Sequence, residues 1–234
     1  MIGRPGRQTL FTFWVLGLVT CSEARAQRES VELLLPGTEY HVTDLPPDPS
    51  GTWWVLYRPS ETPTLEALQV VVRPIRGCGD EATDEPSGRA VTVSQAREPI
   101  LMVRGLPDLS GGPVRTAFVN ERGTGEASRV ELQWGDQQVT LRHLAAPPLE
   151  DRPGRYHVEL TVGAQRFELH TDQWHGDGHW LVRWVGDLNR DGLPDVLLDA
   201  SYKYSVHTTR LFLSRATAGH IEFTEAARFE HTAC

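Results

Sequence analysis

Residues 187–199 read Asp-Leu-Asn-Arg-Asp-Gly-Leu-Pro-Asp-Val-Leu-Leu-Asp. Asp187, Asn189, Asp191 and Asp195 place side-chain oxygens at the first, third, fifth and ninth positions of that run. Gly192 stands sixth, where a sharp turn favours a residue without a Cβ. An all-oxygen set with three carboxylates suits a hard cation. A flexible loop of this kind suits Ca²⁺ better than Mg²⁺, which demands near-ideal octahedral geometry. The chemistry implied is metal binding rather than catalysis.

The flanks of the loop say how it must be positioned. Residues 180–185, Trp-Leu-Val-Arg-Trp-Val, precede it as a strand, and Val196-Leu197-Leu198 begins a second. An EF-hand loop joins two helices and carries a bidentate Glu at its twelfth position. Here that position is Leu198, which also departs from the dockerin pattern. The stretch resembles the calcium loop of FG-GAP and VCBS proteins: Asp-x-Asp/Asn-x-Asp-Gly-x-x-Asp, then an apolar strand. Residues 187–198 match that pattern throughout. The resemblance implies Ca²⁺ held by the side chains of Asp187, Asn189, Asp191 and Asp195 and by the carbonyl of Leu193. It covers about residues 180–214 only. A propeller does not follow, because propellers repeat their blade signature. Residues 172–178 supply at best a degenerate second loop.

Other candidate chemistry is weaker. His175, Asp177 and His179 would share one face of an extended strand and could hold Zn²⁺. Gly176 and Gly178 instead favour a solvated turn. No Gly-x-Ser-x-Gly elbow, phosphate-binding Gly-Lys-Ser/Thr loop or His-Glu-x-x-His helix occurs. Trp174, Trp180, Trp184, Tyr202 and Tyr204 offer either a carbohydrate-binding face or core packing around the loop. Core packing is the expected role for tryptophans in strands.

The elements that must carry the loop are strands. No segment beyond the N-terminus holds a helical period, and short β-rich runs alternate with turn clusters. Strands are expected at 31–35, 52–58, 68–75, 90–94, 100–104 and 114–120. Further strands are expected at 157–162, 165–171, 179–185, 195–199, 208–214 and 220–223. One or two helical turns are expected at 61–68, and 78–89 reads as an exposed acidic loop. Residues 130–137 align with 158–165, and the match extends to Leu141 and Leu169. Each copy is a strand, a Gly-containing two-residue turn and a second strand, hence a hairpin. The Pro-rich stretch 145–154 separates them. The expectation is an all-β protein, an antiparallel sandwich or meander of hairpins. It divides into an N-terminal β-rich region at 27–146 and a C-terminal β region at 155–234 that carries the loop.

Residues 1–26 read as a secretory signal: Arg4 and Arg7, an uncharged run from Leu10 to Thr20, then small-x-small at Ala24-Arg25-Ala26. Leu18-Val19-Thr20-Cys21 competes as a lipobox that would leave a lipid anchor on Cys21. The small-x-small site fits its rule better. After either processing route Cys78 and Cys234 remain, and export makes one disulfide between them the expectation. Removing Arg4, Arg7, Glu23 and Arg25 moves the formal charge from −8 to −10. That acidity argues against nucleic acid and anionic membrane surfaces as partners. No membrane-spanning segment is expected after processing. The chain is thus expected to be an exported calcium-binding β protein of a bacterial cell envelope, periplasmic or extracellular, with an outer-membrane lipoprotein as the alternative. A non-enzymatic binding or structural module, with an envelope protein or glycan as partner, is favoured over an envelope hydrolase for glycan or peptide.

Overall fold

The alternation of apolar and polar residues resolves into antiparallel strands in a computed structural model. It describes residues 30–58, 62–77, 86–95, 97–119, 129–146, 154–174, 179–201, 203, 205–217 and 220–232. The chain is all-β, as expected, and forms neither a propeller nor a closed barrel. Among the described residues the only helical element is one 3-10 turn at Val42–Asp44.

The first sheet collects β1 (Glu32–Leu34), β2 (Gly37–His41), β3 (Gly51–Tyr57), β4 (Thr64–Ile75), β5 (Gly88–Val93), β6 (Pro99–Arg104) and the two-residue β7 (Gly112–Pro113). Its order is β1-β6-β3-β4-β5-β2, with β7 pairing β4. The helical turns expected at 61–68 are absent from the described part of that span. Leu65 and Leu68 lie in β4, paired with Leu56 and Trp53 of β3. Tertiary pairing overrides local propensity there: Leu65 and Leu68 are both buried in the strand extended against β3.

Next comes β8 (Thr116–Val119), then β9 (Arg129–Trp134), β10 (Gln137–Ala146), β11 (Gly154–Val162) and β12 (Gln165–Trp174). The last four form a meander in the order β12-β11-β10-β9. Both aligned hairpins are present. Their two-residue turns start at Gly135 (φ 63°) and Gly163 (φ 57°), a left-handed conformation that glycine adopts without Cβ strain. The strands on either side of the Pro-rich stretch pair with each other, Ala146 opposite Arg155.

The last sheet contains β13 (His179–Gly186), β14 (Asp195–Ser201), β15 (Val206–Thr217) and β16 (His220–Thr232), with β8 added beside β13. It is the middle layer. Leu197, Leu211, Ala227 and Phe229 join the core of the first sheet. Val196, Leu198, Ala200 and Phe212 join the core of the meander. Every residue of β14 is therefore buried, and Val196-Leu197-Leu198 runs without a polar residue, as a strand covered on both faces requires, while Asp195, Asp199 and Ser201 are buried with hydrogen-bond partners. In β13 a bulge between Val182 and Trp184 shifts the alternation. Trp180 and Val182 face the meander, whereas Trp184 faces the first sheet. Trp180 and Trp184 are thus core residues.

The signal segment, Cys21, Cys78, Cys234, His175, Asp177, Tyr202 and Tyr204 lie outside the described residues, as does the side chain of Trp174. No described helix is long and apolar enough to cross a membrane.

Candidate metal centre

The loop connects β13 to β14, and all three sheets hold it. The Asp187 N–H donates to the carbonyl of Arg115, just before β8 (2.8 Å). Trp134 of the meander donates its indole N–H to the Gly192 carbonyl (2.9 Å). The Arg190 guanidinium donates to Ser110 Oγ (2.7 Å) and the Gly111 carbonyl (2.8 Å), beside β7. Asn189 Nδ2 donates to the Ser214 carbonyl on β15 (2.9 Å). Arg190 holds a positive φ of 61°, unusual for a non-glycine residue, and these anchors hold it there.

Inside the loop the short polar side chains fold the backbone. Asn189 Oδ1 accepts from the Asp191 N–H (3.1 Å), and Asp191 Oδ1 from the Leu193 N–H (2.9 Å). Both are local turns typical of Asn and Asp. Asp187 Oδ2 accepts from the Gly192 N–H (3.0 Å) across the turn. Gly192 has φ +87° and nothing within 4 Å of where a Cβ would stand. Its role is therefore conformational, not one of close approach.

The other oxygen of Asp187 differs from the rest. Asp187 is 8 % exposed, and Oδ1 is buried without a hydrogen-bond partner. Burial pushes its carboxyl above the ordinary aspartate range, against the Gly192 N–H and with the nearby Asp191 charge, while the backbone N–H groups of Asp191 and Arg190 also oppose the rise. A buried partnerless carboxylate oxygen is costly unless something positive faces it.

Asp195, expected as a ligand, spends its oxygens on the chain. Oδ2 accepts from the N–H groups of Leu188 (2.7 Å) and Asn189 (3.3 Å). Oδ1 accepts from the Ser214 N–H (2.8 Å) and hydroxyl (3.0 Å). Four donors fill the usual acceptor capacity of a carboxylate. Burial raises its pKa to about 7, against the opposing effect of these same donors. Asp195 closes the loop and fastens it to β15.

Among the described residues no three His, Cys, Asp or Glu side chains are grouped to hold a metal. With Asp195 turned to the chain, two carboxylates (Asp187, Asp191), the Asn189 amide and the Leu193 carbonyl remain of the expected donor set. The orphaned Asp187 Oδ1 fits a hard cation in that set. The structural tie from Asp195 to Ser214 was invisible in sequence, since nineteen residues separate the two. No family model, curated protein or solved structure matches the chain.

Proposed function

We propose that this chain is an exported calcium-binding β protein of a bacterial envelope and acts as a non-enzymatic binding or structural module. The observation that carries the calcium reading is the buried, partnerless Oδ1 of Asp187 within a loop of calcium-type spacing. Asp187, Asn189 and Asp191 would hold the ion through side-chain oxygens and Leu193 through its carbonyl, while Asp195 keeps the loop shut. Bound calcium supplies positive charge at a buried acidic turn, which offsets desolvation and carboxylate repulsion. The loop joins β13 to β14 in the middle layer, so the ion would brace the sheet on which both cores pack.

A hydrolase is less well supported. Its acid or base must reach a substrate. Among the described residues, Asp187 and Asp195 have carboxyls pushed up by burial, and both are buried in the loop.

Thermal scans of the processed protein in EGTA and in millimolar Ca²⁺ test the proposal. A ligand that binds only the folded loop must raise the melting temperature. Affinity in the range of extracellular modules, about 10⁻⁴ to 10⁻³ M, makes millimolar calcium sufficient. Identical scans, with calorimetry showing no binding heat, would refute it. Asp187→Asn should abolish the calcium response.

A further inference from the structure

Beside the loop lies a cavity of about 510 Å³, within the range of small-ligand pockets. Three parts of the chain line it, and it opens to solvent. One is the turn after β6, from Leu106 to Leu109. Another is the loop face carrying Asn189 and Asp191. The third is the β15–β16 ribbon, from Leu213 to Ala216 and at Glu222, Thr224 and Ala226. On β16 the lining residues alternate, so one face of that strand forms the wall.

The chemistry of the lining is divided. Leu106, Leu109 and Leu213, all partly buried, pack against the core of the first sheet and make an aliphatic floor. Asp108, Asp191 and Glu222 are exposed at the rim, against one cation, Arg215. An anion would meet a net negative rim. Among the described residues no aromatic ring lines the cavity, and these residues offer no flat face to a sugar ring. An aliphatic stem ending in a positive group satisfies both parts: methylenes on leucine, ammonium or guanidinium among carboxylates.

The geometry points to a binding site for an aliphatic cation, a primary amine or guanidine on a short hydrocarbon stem. A free polyamine and the lysine or arginine side chain of a partner protein share that chemistry. The site stands apart from the calcium reading, because Asp108 and Glu222 belong to other elements. The two meet at Asn189 and Asp191, of which Asp191 carries the charge. If that reading also holds, calcium and the organic cation compete for Asp191, and each weakens the other by the same factor.

NMR titration of the folded protein in EGTA tests the site, with hexylammonium, hexanol and hexanoate as probes. Hexylammonium should bind saturably and shift resonances of Leu106, Leu109 and Leu213. Hexanol should bind at least about fivefold more weakly, and hexanoate should not bind. The Asp108→Asn/Glu222→Gln double variant should weaken hexylammonium about fivefold to tenfold. Asp108 has φ 63°, a conformation asparagine tolerates, and Glu222 is exposed on β16, so the variant should fold. Spermidine and acetyl-Leu-Lys-Leu-amide then separate the two sources, and binding of either supports the site. Equal binding of hexanol and hexylammonium, shifts confined to other regions, or undiminished binding by the double variant would overturn it. Absence of calcium binding would defeat the calcium reading and leave these EGTA results standing.

Discussion

Asp187 and Asp195 share a residue type and a loop, yet they carry opposite obligations. Asp195 satisfies four donors, three of them buried, so Asp195→Ala would strand them without partners. The expected loss is about 3–5 kcal/mol by urea denaturation, in calcium or in EGTA. Asp187 accepts one well-formed hydrogen bond, from Gly192 to Oδ2, with the backbone N–H groups of Arg190 and Asp191 nearby, and Oδ1 has no such bond. In EGTA, Asp187→Asn should cost less than about 1 kcal/mol, because it removes a buried charge with no counterpart. If the two variants proved equally destabilised without calcium, the division of roles would be wrong. His170 supplies a pH dependence. Its side chain is 10 % exposed on β12, and burial, then the charge of Arg210, lowers its pKa from 6.5 to about 4. The folded state keeps the imidazole neutral, while the unfolded chain protonates it below 6.5. Its contribution is therefore present above that pH and is lost as pH falls toward 4, by up to about 3 kcal/mol. Relative to the parent, His170→Phe should lose less stability between pH 6.5 and 4. Parallel profiles would show that His170 titrates alike in the folded and unfolded chain.

At the scale of elements, the decisive feature is the close seating of β13 against β8. Gly186 ends β13 where a Cβ would stand 2.6 Å from the Arg115 carbonyl oxygen and closer still to the Trp184 ring. Neither neighbour yields easily: one is backbone, and the other is a fully buried indole whose N–H donates to Thr116 Oγ1 (3.1 Å). Gly186→Ala should destabilise by about 2–4 kcal/mol in chemical denaturation, with the β8–β13 amides losing hydrogen-exchange protection first. Gly192→Ala meets open space and bears only the strain of its positive φ. It should cost about 1 kcal/mol. A Gly186→Ala variant as stable as Gly192→Ala would contradict the close approach.

For the molecule as a whole, the shared middle sheet couples everything else. One core joins it to the first sheet and another to the meander, and β8 enters it from before the meander in sequence. A fragment of residues 155–234 would lack β1 through β10. The first-sheet core against Leu197 would go, and so would the buried Trp134, Val139 and Leu141, uncovering both faces of β14. Such a fragment should fail to give dispersed amide resonances, and the intact protein should unfold in a single transition by fluorescence and circular dichroism alike. A well-folded fragment would show that the middle sheet does not need its neighbours.

Much of this architecture was legible in the chain. Period-two alternation in residues 130–134 and 156–162, together with Gly135 and Gly163, specified hairpins, because strand geometry and turn conformation are local properties. The spacing of Asp187, Asn189, Asp191 and Gly192 likewise marked a sharp turn between two strands, while the bonds by which Asn189 and Asp191 fold its backbone came only with the structure. The extended state of residues 64–68 was not legible, since it comes from pairing with β3 rather than from those residues themselves. Nor was the stacking order of the sheets. The continuous apolar run Val196-Leu197-Leu198 requires cover on both faces but does not say by what. The fate of Asp195 was hidden for the same reason. Side-chain spacing assigns an oxygen to a position, but only the packing of β15 brings the Ser214 N–H and hydroxyl within bonding distance. That packing turns an expected ligand into the residue that locks the loop.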